Sequence, residues 1–230
     1  MMTGPANPWH SLPHQPPYVL PDDKHAIDQF NLAAKTEYRI RLEIFPEPYL
    51  GQPEAPVVVL NYNPGFKDRD LVHHQKALFA HRSRENLLHV DVMHPFYLLD
   101  PTLAPIADRT DWWDRKLRWF LEDPRLGDSP EARRFKVANE VLCVEFFPYH
   151  SVAFDHRKLS VPSQKYSFAL VKMAIQRKAV ILMRGWKHWL TAVPELGGYA
   201  YEPNSLQNAA FSPNNFLGGY EAAIEALRKV

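Results

Sequence analysis

Several features that mark common classes of protein are absent from this sequence. Cysteine occurs once, as Cys143, which excludes an internal disulfide framework and a metal cage built from thiolates. No run of about 18 apolar residues is present, and the first 23 residues lack the basic flank and apolar core of a signal peptide. The formal net charge is +1, so no global basic field indicates nucleic acid. We therefore expect a cytoplasmic protein that does not associate with membranes.

Missing motifs narrow the possible chemistry further. The sequence has no glycine-rich phosphate loop, no G-x-S-x-G elbow and no H-E-x-x-H motif, which disfavours the usual nucleotide, esterase and zinc-protease chemistries. The 11 histidines are scattered, so we expect no metal site and no cofactor. Cys143 lies in the apolar segment VLCVEFF, where an inert buried thiol is expected.

What is present predicts one α/β domain behind a short arm. Of the 230 residues, 46% are hydrophobic, and 21 prolines against 9 glycines indicate many ordered loops. Residues 1–21 are proline-rich and are expected to form an arm packed on the surface or trailing from it. Residues 22–230 are expected to form a single domain.

The hydrophobic pattern predicts the elements of this domain. Three apolar runs without alternation, VVVLNYN, VLCVEFF and AVILMR, are typical of central strands in a sheet covered on both faces. EYRIRLEIF (37–45) alternates like a strand with one wet face. Helical patterns cover 22–36, 109–123, 129–141 and 162–178, and a last helix begins at a Ser212 cap with Pro213 in its first turn. The fold class that follows is a three-layer α/β/α arrangement with a central, mostly parallel sheet.

Polar and aromatic residues follow each of the three predicted strands. Asn63-Pro64-Gly65-Phe66 follows the first, Glu145 ends the second, and Arg184-Gly185-Trp186 follows the third. In open parallel sheets ligands bind beyond the carboxyl ends of the strands, so these residues should converge on one crevice. Such a mixture suits a planar ligand.

The segment NYNPGF resembles the first active-site motif of the uracil-DNA glycosylase superfamily, particularly of the branches that carry Asn-Pro-Gly. A second segment, EPNSLQNAAFSPNNF (202–216), resembles the late His/Asn-Pro-Ser loop of that family, although Asn204-Ser205 lacks the intervening proline. The resemblance covers roughly residues 55–230. It implies a uracil-DNA glycosylase-like fold, and a metal-independent DNA glycosylase that acts as a monomer on a nucleotide flipped out of DNA.

The resemblance assigns roles to three residues, each with an alternative. Asn63 would orient the water that attacks the sugar C1′; the alternative is a side chain that caps its own turn. Asn204 would hold the leaving base or the sugar; the alternative is a loop asparagine bonded to nearby backbone. Gly65 stands where the most uracil-selective relatives have a tyrosine beside the base C5, so the pocket should admit a C5 substituent; the alternative is a turn that requires positive φ.

Glu145 departs from the family pattern. Uracil-selective relatives have an asparagine near the end of the corresponding strand, which accepts from uracil N3–H and donates to O4. A carboxylate accepts from the exocyclic amine of cytosine, and a protonated carboxyl also donates to cytosine N3. The prediction is a cytosine modified at C5, as in some phage DNA, excised in repair or in defence. The alternative is an internal ion pair of Glu145 with Arg184 or His150.

Further residues complete the predicted site. Phe66 is expected to contact the base, and Phe96 or Tyr97 to supply a stacking platform, with core packing as the alternative for both. The tryptophans of segment 109–123 are expected to be buried along an amphipathic helix. The predicted DNA contacts are Arg184, Ser205, Gln207, Asn208 and Ser212. Two rival functions remain open: an inactive nucleic-acid or nucleotide-binding module on the same fold, and an unrelated α/β hydrolase of small nucleosides.

Overall fold

The protein is built around a four-stranded sheet. The structure is a computed structural model that describes residues 5–105, 109–155, 159–205, 207–208 and 210–229, with backbone only at 109–111. The strand order is β1-β3-β2-β4, where β1 is Tyr49–Leu50, β2 is Val57–Asn61, β3 is Val141–Glu145 and β4 is Val180–Met183. β2 pairs in parallel with β3 and β4, and β1 pairs antiparallel with β3. The prediction of three central strands in a mostly parallel sheet is confirmed.

Eight α-helices surround the sheet in the described part of the chain. They are α1 Pro21–Ala33, α2 Asp68–His74, α3 Ala77–Leu87, α4 Arg109–Glu122, α5 Pro130–Glu140, α6 Gln164–Gln176, α7 Trp186–Ala192 and α8 Gly219–Arg228. Short 3-10 helices cover Pro8–Ser11, Thr36–Tyr38, Tyr97–Leu99, Pro101–Leu103, Pro124–Leu126 and Pro194–Leu196. The four predicted helical segments 22–36, 109–123, 129–141 and 162–178 correspond to α1, α4, α5 and α6. The α5 start shows why: the Ser129 hydroxyl accepts from the Ala132 amide at 3.1 Å, ahead of Pro130.

Apolar side chains cover both faces of the sheet. Successive residues of a strand point to opposite faces, and in β2 the pair Val58 and Leu60 belongs to one hydrophobic cluster while Val57 and Val59 belong to another. The first cluster includes residues of α1, α6 and α7, and the second includes residues of α3, α4, α5 and α8. This mixed α/β packing is compatible with three layers and leaves the carboxyl ends of the strands at one edge.

Two predicted elements are corrected by the structure. Segment 37–45 is not a strand: it begins in a 3-10 helix and forms an isolated bridge at Arg41 with His150. The segment is hydrogen-bonded to the loop after β3 instead: the Arg41 amide donates to the His150 carbonyl at 2.9 Å, and the Ala153 amide donates to the Glu37 carbonyl at 2.8 Å. The last helix begins at Gly219, because Ser212 caps a separate turn through Asn215 and Phe216. Its predicted apolar face, which includes Ala223, Ile224 and Leu227, is buried as expected.

The described part of the N-terminal arm contributes to the core. Trp9 is 1% exposed and lies edge-on against Tyr149, with ring centroids 5.8 Å apart. Leu12, Val19 and Leu20 join the same hydrophobic cluster. The apolar residues of the described part of the arm are therefore packed with those of the domain.

No helix in the described ranges has the length and apolar character needed to cross a membrane.

Candidate active site

A cavity of about 340 Å³ lies at the carboxyl ends of β2, β3 and β4. Five of the residues predicted for the site line it: Asn63, Gly65, Phe66, Glu145 and Arg184. The parallel register explains the convergence, because Asn61 pairs with Glu145 and the Arg184 amide donates to the Leu60 carbonyl at 2.9 Å. The sheet thus places the ends of three distant segments around one space.

Asn63 lines the cavity in a fixed orientation. Its Nδ2 donates to the Ser151 hydroxyl at 2.9 Å and to the Pro64 carbonyl at 3.0 Å. Ser151 is 1% exposed and donates in turn to the Ala153 carbonyl at 2.9 Å. Both N–H groups of the Asn63 Nδ2 therefore donate within the protein. The Asn63 Oδ1 accepts no hydrogen bond from the described residues. The amide both ties its own turn and presents an acceptor.

Gly65 occupies an open position. A Cβ built there meets no atom within 4 Å, and its φ lies outside the left-handed region. The alternative that this glycine satisfies a positive-φ turn is therefore wrong. The loop is held by pairing with the loop after β3, since the Gly65 carbonyl lies 2.8 Å from His150 Nδ1 and Gly65 bridges to Ser151. What the missing side chain provides is space.

Aromatic residues form the apolar walls of the cavity. Phe66 is 4% exposed, and the Arg41 guanidinium lies 4.0 Å above its ring. Trp112 and Trp113 of α4 also line the cavity, with their rings edge-on at 4.7 Å. Trp113 is buried, Trp112 is half-buried and Trp119 is 39% exposed, so the expectation that this helix buries its tryptophans holds for one of the three. The rings of Trp112 and Trp113 therefore line the cavity, although the sequence predicted only that the tryptophans of this helix are buried.

Glu145 is 3% exposed at the end of β3. Its Oε1 accepts weakly from Asn61 Nδ2 at 3.4 Å and from the Cys143 thiol at 3.7 Å, while Oε2 is buried with no hydrogen-bond partner among the described residues. The proposed ion pair with Arg184 or His150 is not formed in the described structure. Burial first, and then the nearby Glu47 carboxyl, raises the pKa of Glu145 from its ordinary 4.5 to about 8.

Arg184 approaches Glu145 through an intermediary. Its Nη1 donates to Asn61 Oδ1 at 3.1 Å, and the Asn61 amide then donates toward Glu145 and toward Cys143 Sγ at 3.3 Å. Burial lowers the pKa of Arg184, an effect that the Glu145 carboxyl opposes when it is ionised. Burial also raises the pKa of the Cys143 thiol, so the prediction of an inert buried thiol is confirmed as far as burial is concerned.

Sequence reasoning missed several polar residues of the cavity, and Glu47 and Asn61 are the two that contact Glu145 or lie beside it. Glu47 is 3% exposed, and its Oε2 accepts from the Tyr97 hydroxyl at 2.9 Å. It sits between prolines, in a segment with no periodic signal. Asn61 did carry a signal, because it is a polar residue inside an otherwise apolar strand. Such a residue needs buried hydrogen-bond partners.

Other predicted residues lie away from the cavity. Phe96 is fully buried against Trp113, at 4.9 Å between ring centroids, and Tyr97 is 2% exposed and bonded to Glu47. Core packing, the alternative considered for both, describes them, and neither offers a face to a base. The hydrophobic cluster around α4 and α5 takes up both rings.

The late loop holds itself together rather than lining the cavity. Asn204 is exposed, and its Nδ2 donates to the Asn214 carbonyl at 2.8 Å, so it is a loop asparagine bonded to nearby backbone. Ser212 is 4% exposed and accepts from the Asn215 amide at 3.3 Å, which removes it from the surface where a phosphate would bind. Ser205 is half-buried, and Gln207 and Asn208 are exposed, so their DNA contacts stay predictions.

No protein-family model, curated protein or solved structure matches the chain. The assignment of a function therefore depends on the geometry of the cavity. In the described residues, no three or more histidine, cysteine, aspartate or glutamate side chains are grouped so that they could hold a metal ion.

Proposed function

We propose that this protein is a metal-independent DNA glycosylase with a uracil-DNA glycosylase-like α/β/α fold. It would act in the cytoplasm as a monomer on a pyrimidine nucleotide flipped out of DNA. The observation that supports the proposal is the convergence of Asn63, Gly65, Phe66, Glu145 and Arg184 on one cavity at the carboxyl ends of the parallel strands. Its volume of about 340 Å³ falls in the range of about 300–1,000 Å³ that small-molecule sites occupy.

Asn63 has the role of positioning the attacking water. Hydrolysis breaks the bond between C1′ and the base nitrogen, so the sugar develops oxocarbenium character while the base leaves with the bonding electrons. A fixed acceptor such as Asn63 Oδ1 aligns a water with C1′, and this alignment supplies rate without a strong base. The two hydrogen bonds to Nδ2 fix the amide and so pre-organise that acceptor.

The base we propose is a cytosine that carries a substituent at C5. Glu145 offers a carboxyl at the part of the lining formed by Glu47, Asn61 and Glu145, which we call the polar end of the cavity. Gly65 leaves open space where a side chain would lie. Phe66 supplies an apolar ring, with the Arg41 cation over one face, against which a planar base stacks. Lys67 and Arg69 are exposed residues of the lining and are suited to the phosphates that flank a flipped nucleotide.

The direct test is base release from defined substrates. Purified protein is incubated, with chelator present, with single- and double-stranded oligonucleotides that carry uracil, cytosine, 5-methylcytosine or 5-hydroxymethylcytosine, and with phage DNA that carries glucosylated cytosine. Abasic sites are detected by alkaline cleavage and released bases by mass spectrometry. We expect abasic sites on C5-substituted cytosine in excess of those on uracil.

A matched variant separates chemistry from binding. Asn63→Ala should reduce base release by at least about 100-fold, the scale of a lost positioning contact, and leave DNA binding within a few-fold. Equal losses in both assays would assign Asn63 to the fold. DNA binding without abasic sites on any substrate would identify the inactive binding module, and release from free nucleosides alone would identify a nucleoside hydrolase.

A further inference from the structure

The Glu47 and Glu145 side chains form a pair of buried carboxyls at the polar end of the cavity. Glu47 precedes β1 and Glu145 ends β3, and the antiparallel pairing of these strands brings them together, with the Glu145 amide donating to the Pro48 carbonyl at 2.9 Å. Both side chains are 3% exposed and both line the cavity. Two carboxylates in one desolvated space repel each other, so a proton is retained by one of them.

Hydrogen bonds decide which carboxyl is ionised. Glu47 Oε2 accepts from the Tyr97 hydroxyl at 2.9 Å, and that hydroxyl accepts from the Ser83 hydroxyl at 3.1 Å. Glu145 has only the long contacts at 3.4 and 3.7 Å. Donors close to an oxygen stabilise the charged form, so Glu47 is the better site for the negative charge and Glu145 for the proton.

The same contacts locate the proton within Glu145. Both donors, the Asn61 amide and the Cys143 thiol, approach Oε1, which therefore acts as the carbonyl oxygen. Oε2 has no partner among the described residues. A buried carboxylate oxygen without a partner is unfavourable because it has lost its hydration, whereas a neutral hydroxyl in that position is less unfavourable and is satisfied when a ligand supplies an acceptor.

We propose that Glu145 is the neutral member of this pair, with its proton on Oε2, and that Glu47 is the positioning residue that keeps it there. On the proposed function, on which this inference rests, the polar end of the cavity then donates a hydrogen bond to the base. Cytosine N3 is such an acceptor, and its N4 amine donates to Oε1, so the neutral acid matches that edge. Uracil presents an N3–H donor at the same position, and two donors that face each other form no hydrogen bond, so the neutral Glu145 disfavours uracil.

Other charged and titratable groups face the pair from neighbouring elements. They are Arg184 after β4, Cys143 in β3, Tyr62 after β2, and Lys67, Arg69 and Asp70 at the start of α2. Arg184 and the Asn61 amide favour ionisation of Glu145, and Glu47 and burial oppose it. The Arg184 guanidinium donates to Asn61 rather than to Glu145, which limits its effect.

The protonation state is tested without any activity. In protein labelled with carbon-13 at the glutamate carboxyls, the Glu145 resonance is assigned by its loss in Glu145→Gln. We expect it to keep the neutral-acid shift at neutral pH and to titrate near pH 8. Glu47→Gln should lower that midpoint by roughly one unit, because the repelling charge is removed while an acceptor for Tyr97 remains.

Two results of the carboxyl titration would overturn the proposal. One is a Glu145 resonance that titrates near the ordinary 4.5, and the other is a midpoint unchanged in Glu47→Gln. If a variant does not fold, infrared spectra of the wild-type protein still test for the neutral acid, since a buried neutral carboxyl has its own C=O band; absence of a band that disappears near pH 8 would overturn the proposal.

Activity then tests the role in base reading. Base release by the wild type should fall as the pH rises through about 8, and the ratio of alkaline to neutral rate should be several-fold higher in Glu145→Gln, whose amide does not titrate. The exposed Glu202→Gln is the control for loss of a carboxyl. A wild-type protein that releases no base refutes the proposed function, while the carboxyl titration still decides the inference. Equal ratios in an active wild type and Glu145→Gln refute the base-reading role.

Discussion

Replacing Glu145 by glutamine should stabilise the folded protein at neutral pH. The wild-type carboxyl is buried, and its pKa is raised from 4.5 to about 8 by burial and by Glu47. A raised folded-state pKa means that the folded protein holds a proton that the unfolded chain releases. The contribution of Glu145 to the free energy of unfolding is therefore fully present below about pH 4.5 and is lost progressively as the pH rises towards 8. Glutamine keeps a similar shape and does not titrate.

The size of the gain follows from the same values. Each pKa unit corresponds to about 1.4 kcal/mol, so between pH 4.5 and 7 the wild type loses about 3 kcal/mol that Glu145→Gln does not lose. For a chain of this length each kcal/mol changes Tm by roughly 2–4 °C. We therefore expect the variant to melt on the order of 6–12 °C higher at neutral pH, after allowance for any difference seen at low pH.

The assay is urea unfolding of the two proteins at a series of pH values. At each pH the free energy of unfolding of the wild type is subtracted from that of Glu145→Gln, which removes the contributions of all other titrating groups. Glu202→Gln, at an exposed position, serves as the control. The difference for Glu145→Gln should be small near pH 4.5 and should grow with pH up to about 8, then level off. A difference that does not depend on pH would refute the conclusion that Glu145 is buried as a neutral acid.

Three further predictions concern single residues. Gly65→Tyr should change the free energy of unfolding by no more than about 0.5 kcal/mol, because open space surrounds the position of the Cβ. It should reduce the release of bases with large C5 substituents by roughly ten-fold or more relative to the release of unsubstituted cytosine. Equal effects on both substrates would contradict the proposed opening beside C5. Trp9→Ala should lower the free energy of unfolding by about 3–5 kcal/mol, because the Trp9 side chain is buried. The control is Leu32→Ala at an exposed position, which should change it by less than about 0.5 kcal/mol. A small loss for Trp9→Ala would show that the arm does not pack into the core. Cys143 should resist iodoacetamide in the native protein and react after denaturation, as judged by mass spectrometry.

The sequence by itself determined the centre of the fold. Apolar runs without alternation predicted β2, β3 and β4, because strands covered on both faces carry few polar residues. Once three such strands are parallel, the residues after them share one edge of the sheet, and this brought Asn63, Gly65, Glu145 and Arg184 correctly to one cavity. The helices α4, α5 and α6 followed from their own periodicity and, in α5, from a Ser-Pro start.

Local patterns failed where non-local contacts decide the structure. Segment 37–45 alternates in sequence, but β1 already occupies the edge beside β3, and the segment packs against a loop instead. Ser212 and Pro213 look like a helix start, yet their turn ends before Gly219. Asn204 occupies the position in the sequence for which a role in the site was predicted, but its side chain donates to the Asn214 carbonyl. The late loop closes on itself through this hydrogen bond and the one from the Ser205 amide to Asn215.

The ionisation of the site was decided only by the tertiary structure. Glu145 alone allowed a carboxylate, an ion pair or a neutral acid, and no local pattern distinguishes these states. Glu47, which the sequence places far away between prolines, reaches Glu145 because β1 pairs antiparallel with β3. Its hydrogen bond from Tyr97 stabilises its own charge, and the pKa of Glu145 is raised first by burial and then by that charge. Electrostatic coupling depends on distance and burial in space, which a linear sequence does not contain.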